Sequence, residues 1–240
     1  MYRKAIFAAL ALLILTGALF AFTPELDLAA ARLFWKNGAF IGITPLGEAL
    51  RTLGYQAPFW LLGMAFSGWA LRRLGFAKVP APSSRSLIFL VLTLVVGPGL
   101  LVNLALKNHS HRPRPVQTVE LGGKWEFRPW YRFDGQCEKN CSFVSGEASS
   151  AFWTLGPALL APPPARPYAV IAALAFGTSV AALRMAFGGH YLSDSLISAL
   201  LTILLVLGFH WWFFGRRDKP RAREAPPDAD RDLRHTGAPL

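Results

Sequence analysis

SLIFLVLTLVVGPGLLVNLAL, residues 86–106, runs without one acidic or basic side chain and stops at Lys107, where KNHSHRPRP takes over as far as Pro115. About 20 apolar residues in a helix cross the hydrocarbon core of a bilayer, so this stretch reads as a membrane span with a cationic cluster at its rim. The same search finds windows free of Asp, Glu, Lys and Arg at 5–24, 52–71, 148–165, 167–183 and 195–215. The fold class expected is therefore all-α, a bundle of six transmembrane helices in one domain over residues 1–215. The charged, proline-bearing tail at 216–240 is expected to be disordered. The fourth and fifth windows are short, and Pro162, Pro163, Pro164 and Pro167 mark the turn between them. The first window is longer than the apolar region of a usual signal peptide and is read as a span. Residues 24–38 place Leu26, Leu28, Leu33, Phe34 and Trp35 among charges and read as an amphipathic helix at the interface.

Composition agrees. Of 240 residues 53% are hydrophobic and only 16% charged, and the mean hydropathy is +0.34. A soluble domain carries about a quarter charged residues, and a disordered chain has far less apolar surface. Two cysteines are too few for a disulfide scaffold. The 25 Lys and Arg against 14 Asp and Glu give a net charge of +11, with the basic residues between apolar spans, which favours lipid or phosphate over nucleic acid. Arg3 and Lys4, then Arg72, Arg73, Lys78 and Arg85, then Arg216, Arg217, Lys219, Arg221 and Arg223 fall on one face of a six-span bundle. The positive-inside rule makes that face cytoplasmic and both termini with it. The loop 107–147 is basic yet falls on the opposite side, which calls for a chemical reason.

Three polar clusters meet that outer face: 107–115, then SFVSGEASS at 142–150, then RMAFGGHYLSD at 184–194. Ionisable groups at membrane depth are costly and are functional candidates by default. Lys107, Arg112, Arg114 and Arg184 offer positive charge, and arginine forks match phosphate oxygens. Ser145 and Gly146 open a helix, whose N–H groups suit an anion, although the same residues with Glu147 are also an ordinary helix cap. His190 and Asp194 stand four apart on one helical face, so the carboxylate can hold one ring nitrogen as N–H and leave the other free to attack. The sum is a phosphate cradle facing a buttressed histidine.

In their order and spacing these residues resemble the type 2 phosphatidic acid phosphatase superfamily, with its K-x6-R-P, P-S-G-H and S-R-x5-H-x3-D motifs. Here they read Lys107, six residues, Arg114-Pro115; Val144-Ser145-Gly146-Glu147; and Leu183-Arg184, five residues, His190, three residues, Asp194. The resemblance implies that Lys107, Arg114, Ser145, Gly146 and Arg184 bind phosphate, that His190 is the nucleophile, and that Asp194 orients it. Glu147 stands where the family carries a histidine that protonates the leaving oxygen, and Val144 and Leu183 replace the usual proline and serine. As acid a glutamate must be protonated, so His109, His111 and water stay open beside Glu147, and Arg112 stays open between phosphate contact and solvated charge. NCSFVSGEASSAF is similar to the lipid A 4'-phosphatase-like branch.

That resemblance implies metal-independent hydrolysis of a lipid phosphomonoester, lipid A foremost, through a phosphohistidine at the periplasmic face of a bacterial inner membrane. No cofactor, metal, nucleic acid or obligate protein partner is expected; the partner is a phosphorylated membrane lipid. Undecaprenyl pyrophosphate or phosphatidylglycerophosphate as substrate, transfer of phosphate to a second lipid, and binding without catalysis are the alternatives. Cys137 and Cys141 would pair in an oxidising periplasm, close to the approach to Ser145. Trp125, Phe127, Trp130 and Tyr131 with Lys124 and Arg128 suit either headgroup contact or any membrane-surface loop.

Overall fold

The computed structural model describes residues 2–215; the tail expected to be disordered lies outside the described residues. The chain is mostly helical. Helix α1 (Tyr2–Phe22) is followed by α2 (Glu25–Arg32) and a hairpin of β1 (Trp35–Lys36) and β2 (Ala39–Phe40). Then come α3 (Pro45–Arg73), α4 (Ser84–Leu94), the short α5 (Lys107–His109), α6 (Gly146–Phe152), α7 (Leu155–Leu159), α8 (Arg166–Ala186) and α9 (Leu192–Phe214). Among the described residues, four helical stretches are long and apolar enough to cross a bilayer: Arg3–Phe22, Ser84–Leu106, Arg166–Ala186 and Leu192–Phe214.

The other two expected spans look different. Residues 52–71 lie inside α3, whose 29 residues rise about 43 Å at 1.5 Å each. Thr44 caps it, accepting from the Gly47 N–H at 3.0 Å with Pro45 at the first position. Residues 148–165 are not one helix but α6 and α7, broken at Trp153 and Thr154. Pro157 has no N–H for the Trp153 carbonyl, which accepts from Gly156 instead. The chain therefore tightens into three-residue turns, Thr154 N–H to Ala151 and Gly156 N–H to Trp153. The amphipathic helix expected to reach Gly38 ends at Arg32, because Asn37 and Gly38 at φ 53° and 80° close a two-residue hairpin turn.

Between α4 and α5 the backbone is π-helical over Val95–Leu106. Pro98 interrupts the ordinary ladder there, and the Asn103 side chain donates to the Pro98 carbonyl at 2.7 Å. The central core joins Phe89, Leu90 and Leu94 to Trp153, Leu155 and Leu159 and to Val206 and Leu207 of α9, with Trp153 Nε1 donating to Thr93 Oγ1 at 2.9 Å. At one end of the bundle a second cluster packs Ala31, Phe40, Leu121 and Tyr191. That end carries all three polar clusters.

Candidate active site

His190 sits between α8 and α9, 1% exposed. Its Nδ1 is 2.6 Å from the Ser142 carbonyl oxygen. A carbonyl can only accept, so Nδ1 carries the proton and Nε2 keeps its lone pair. Burial first, and then the charges of Arg184, Lys107 and Arg114, hold the imidazole well below its usual protonation range. The ring is thus neutral and faces three cations, two from the cluster at 107–115 and one, Arg184, from its own.

The direct His190–Asp194 hydrogen bond expected from the four-residue spacing is absent, Nδ1 and Oδ2 being 3.9 Å apart. His190 precedes the first turn of α9, so it does not lie over Asp194 as two helical residues would. Asp194 instead accepts from Ser142 Oγ at 2.5 Å and from the Tyr191 N–H at 2.9 Å. Ser142 thus stands between the two, its hydroxyl on Asp194 and its carbonyl on the ring N–H.

Lys107 follows the π-helical segment, and burial, then Arg114 and Arg184, push its ammonium down to about 8. Arg114 donates from Nε and Nη2 to the Asn140 carbonyl at 3.0 and 2.8 Å. Arg184, 3% exposed, has no hydrogen-bond partner for Nε among the described residues. Gly189 makes room for it: a Cβ there would stand 2.5 Å from Arg184 Nη2. Ser145 caps α6 by accepting from the Ala148 N–H at 3.3 Å, while its carbonyl accepts from Ser198 Oγ at 2.6 Å. Gly146 is needed for close approach too, since a Cβ would meet Asn103 Oδ1 at 2.4 Å.

Glu147 is held by cations. Arg51 Nη2 donates to its Oε1 at 3.0 Å with Nε at 3.3 Å from both oxygens, and Arg184 Nε lies 3.3 Å from Oε2. Arg51, at the start of α3, escaped the sequence reading because the search for uncharged windows stopped at Thr52. His109 Nδ1 lies 2.8 Å from the Ala105 carbonyl and His111 Nδ1 2.9 Å from the Cys137 carbonyl, so each ring is turned to nearby backbone. Next to Glu147 a groove of ≈ 510 Å³ opens between Tyr55 and Phe59 on one side and Leu94 to Asn103 on the other, with Lys107, Gly146 and Ser150 at its polar end.

Arg112 is neither of the things expected of it. It is wholly buried. Its Nε donates to the Arg128 carbonyl at 2.8 Å, Nη2 to Asp27 at 2.7 Å, and Nη1 to Asp194 and Ser193 Oγ at 2.5 and 2.9 Å. Burial opposes its charge, but Asp194 and Asp27 outweigh that and hold the guanidinium above its ordinary range. Asp27 was missed because ELDLAAAR reads as an amphipathic helix with its acids in water; in fact Asp27 and Ala31 share the buried face of α2. The aromatic loop also turns inward. Phe127 meets the Tyr191 ring edge-on at 5.2 Å, and Trp130 stacks on Phe143 and donates to the Gly17 carbonyl. Cys137 and Cys141 are joined as a disulfide.

Helices of membrane length thus gather lysine, arginine and a neutral histidine at one end, an arrangement able to hold an anion beside an unprotonated ring nitrogen. The chain belongs to the PAP2 superfamily, whose family model matches residues 86–218. It is 34% identical to a lipid A 4'-phosphatase of Francisella tularensis subsp. novicida over 73% of this chain and 80% of that protein. It is likewise 34% identical to a lipid A 4'-phosphatase of Rhizobium etli over 78% of this chain and 79% of that protein. A lipid A 4'-phosphatase of Rhizobium leguminosarum is 46% identical over a shorter stretch, 47% of this chain and 48% of its own. No solved structure matches the chain significantly. With these relatives and this site, the protein is a lipid phosphatase.

Proposed function

We propose that the substrate is lipid A, that the phosphate removed is the 4' one, and that the reaction runs through a phosphohistidine at the periplasmic end of a six-span bundle in the bacterial inner membrane. The observation that carries the chemistry is the Nδ1–H of His190 on the Ser142 carbonyl, which leaves Nε2 as an unprotonated nucleophile beside three cations. The choice of lipid rests on the three lipid A 4'-phosphatases to which the chain is similar.

Lys107, Arg114 and Arg184 hold the phosphate oxygens, with Ser145 and the Gly146 N–H beside them. Nε2 of His190 bonds to phosphorus while the phosphorus–ester oxygen bond breaks, and its electron pair leaves with the sugar oxygen. That oxygen takes a proton, for which Glu147, displaced from Arg184 by the incoming phosphate, is the acid. Water then attacks phosphorus and gives its proton to the Glu147 carboxylate, the phosphorus–nitrogen bond breaks with its electron pair returning to Nε2, and inorganic phosphate leaves with His190 neutral and Glu147 protonated again. Nδ1–H stays on Ser142 throughout. A basic outer loop follows from this chemistry, and long loops escape the positive-inside rule. The apolar groove beside Glu147 takes the lipid part.

The test is phosphate release by the purified protein in detergent with EDTA present, offered lipid A, phosphatidic acid, phosphatidylglycerophosphate and undecaprenyl pyrophosphate. Release from lipid A, abolished in His190→Ala, is expected. Glu147→Gln should lower kcat about 100-fold, and Glu147→His should retain activity with a changed pH optimum. Unchanged kinetics in Glu147→Ala would remove Glu147 from the mechanism. Lipid binding without turnover on any of the four would overturn the hydrolase.

A further inference from the structure

Behind the histidine lies a second charged constellation, of which Asp27 and Arg112 have no part in the phosphate chemistry described above. Asp27 from α2, Arg112 from the loop after α5 and Asp194 from α9 meet with no more than 1% exposure each. Asp27 accepts from Arg112 at 2.7 Å, from the Ser193 N–H at 2.8 Å and from Ser193 Oγ at 2.6 Å. The guanidinium is also stacked, 4.3 Å from the Tyr191 ring centroid and 5.5 Å from that of Phe127. Arg112 lies between two carboxylates; burial disfavours the charged form of Asp194, while the guanidinium, the Ser142 hydroxyl and the Tyr191 N–H favour it. The next group along is His190: Asp194 Oδ2 takes the Ser142 hydroxyl, and Ser142 O takes the imidazole N–H.

We propose that the Asp27–Arg112 pair positions the nucleophilic histidine, acting through Asp194 and Ser142 to aim the imidazole and to keep a negative charge behind it. This rests on the reading of His190 as nucleophile. When Nε2 bonds phosphorus the ring becomes a phosphorylated imidazolium, a cation formed in a site already crowded with cations. The Asp194 carboxylate, 3.9 Å from Nδ1 and favoured in its charged form by Arg112, offsets it at the moment it appears, which is where a fixed charge contributes to rate. Stability alone is a poor account of the arrangement, since apolar residues of the same volume hold two elements together at least as well as buried ions. Asp27, moreover, lies outside the stretch matched by the family model, so α2 adds to the site from beyond it.

Asp27→Asn keeps the shape and the acceptor for the Ser193 N–H but removes the charge; Arg112→Lys keeps the charge but cannot reach both carboxylates. Both are made in the full chain, with kcat, KM and inhibition by inorganic phosphate and by vanadate as readouts. Inorganic phosphate is held by the cations alone, whereas vanadate also bonds the attacking nitrogen as the transition state does. Expected is a loss of about 10- to 100-fold in kcat, the size found when the partner behind a metal-binding histidine is removed. Vanadate inhibition should weaken with it, while KM and phosphate inhibition stay within about twofold. Activity unchanged while the melting temperature falls, or all four readouts moving together, would make the cluster a mere anchor for α2 and overturn the proposal. If neither variant folds, Ser193→Ala, which breaks only the hydroxyl link, must show the same split or the proposal falls. His190→Ala separates the two readings: activity surviving there sinks the nucleophile, whereas a dead His190→Ala beside a fully active Asp27→Asn sinks only this inference.

Discussion

Lys107 shows how one residue draws its chemistry from its surroundings. On the sequence it is a basic residue ending a span, often no more than an interfacial anchor. Burial and the neighbouring arginines bring it down to about 8, so it is charged at neutral pH and becomes neutral not far above. A lysine must be protonated to hold phosphate, and its lowered value means that the charge is lost progressively as pH rises through about 8. kcat/KM, which reports the free enzyme, is therefore expected to fall as pH rises through that region. Lys107→Arg should remove that limb, because an arginine stays charged throughout. A pH profile of both proteins, with no difference on the alkaline side, would take Lys107 out of phosphate binding. Arg112 teaches the reverse lesson. It stands two residues from Arg114 and carries the same charge, but every one of its nitrogens serves the interior.

At the scale of elements, local rules explain most departures from the expected pattern. The Asn37–Gly38 turn ends an amphipathic stretch early, and Pro157 splits a span into α6 and α7. The disulfide between Cys137 and Cys141 closes a short loop whose Asn140 carbonyl receives Arg114. A loop so small restricts the unfolded chain little, contributing about 2 kcal/mol at most; its larger consequence is the aim of Arg114. The double variant Cys137→Ser and Cys141→Ser should raise KM about three- to tenfold, the loss of one positioned hydrogen bond at about 1 kcal/mol, with kcat nearly kept. Steady-state kinetics on that variant, or on protein treated with a reductant, reads this directly; equal KM values would mean that Arg114 finds its place unaided.

For the whole molecule the remaining question is which end faces which compartment. Four helices are of membrane length and composition, and α3 and the α6–α7 pair supply the other two crossings in the proposed arrangement. A cysteine placed by Ala77→Cys between α3 and α4 should then resist a membrane-impermeant thiol reagent in intact cells. One placed by Lys124→Cys, beyond α5, should react. The opposite pattern would turn the site to the cytoplasm, and reaction at both would break the six-span plan.

Much was legible before any tertiary structure. Apolar runs of bilayer length report helices because every backbone polar group in lipid must be satisfied within its own helix, and that is a local property. The spacings K-x6-R-P and R-x5-H-x3-D are local as well, and they named Lys107, Arg114, Arg184, His190 and Asp194. What the sequence could not show is who meets whom. Arg51 is 96 residues from Glu147 and Asp27 is 85 from Arg112, and such pairs exist only once the helices pack. The four-residue step from His190 to Asp194 suggested a direct bond, yet the geometry at the start of α9 gave the imidazole to the Ser142 carbonyl instead. Periodicity and spacing order residues along one element; burial and ion pairing depend on distances between elements, and those were decided by the packing of α2, α3 and α9 around the loops that join them.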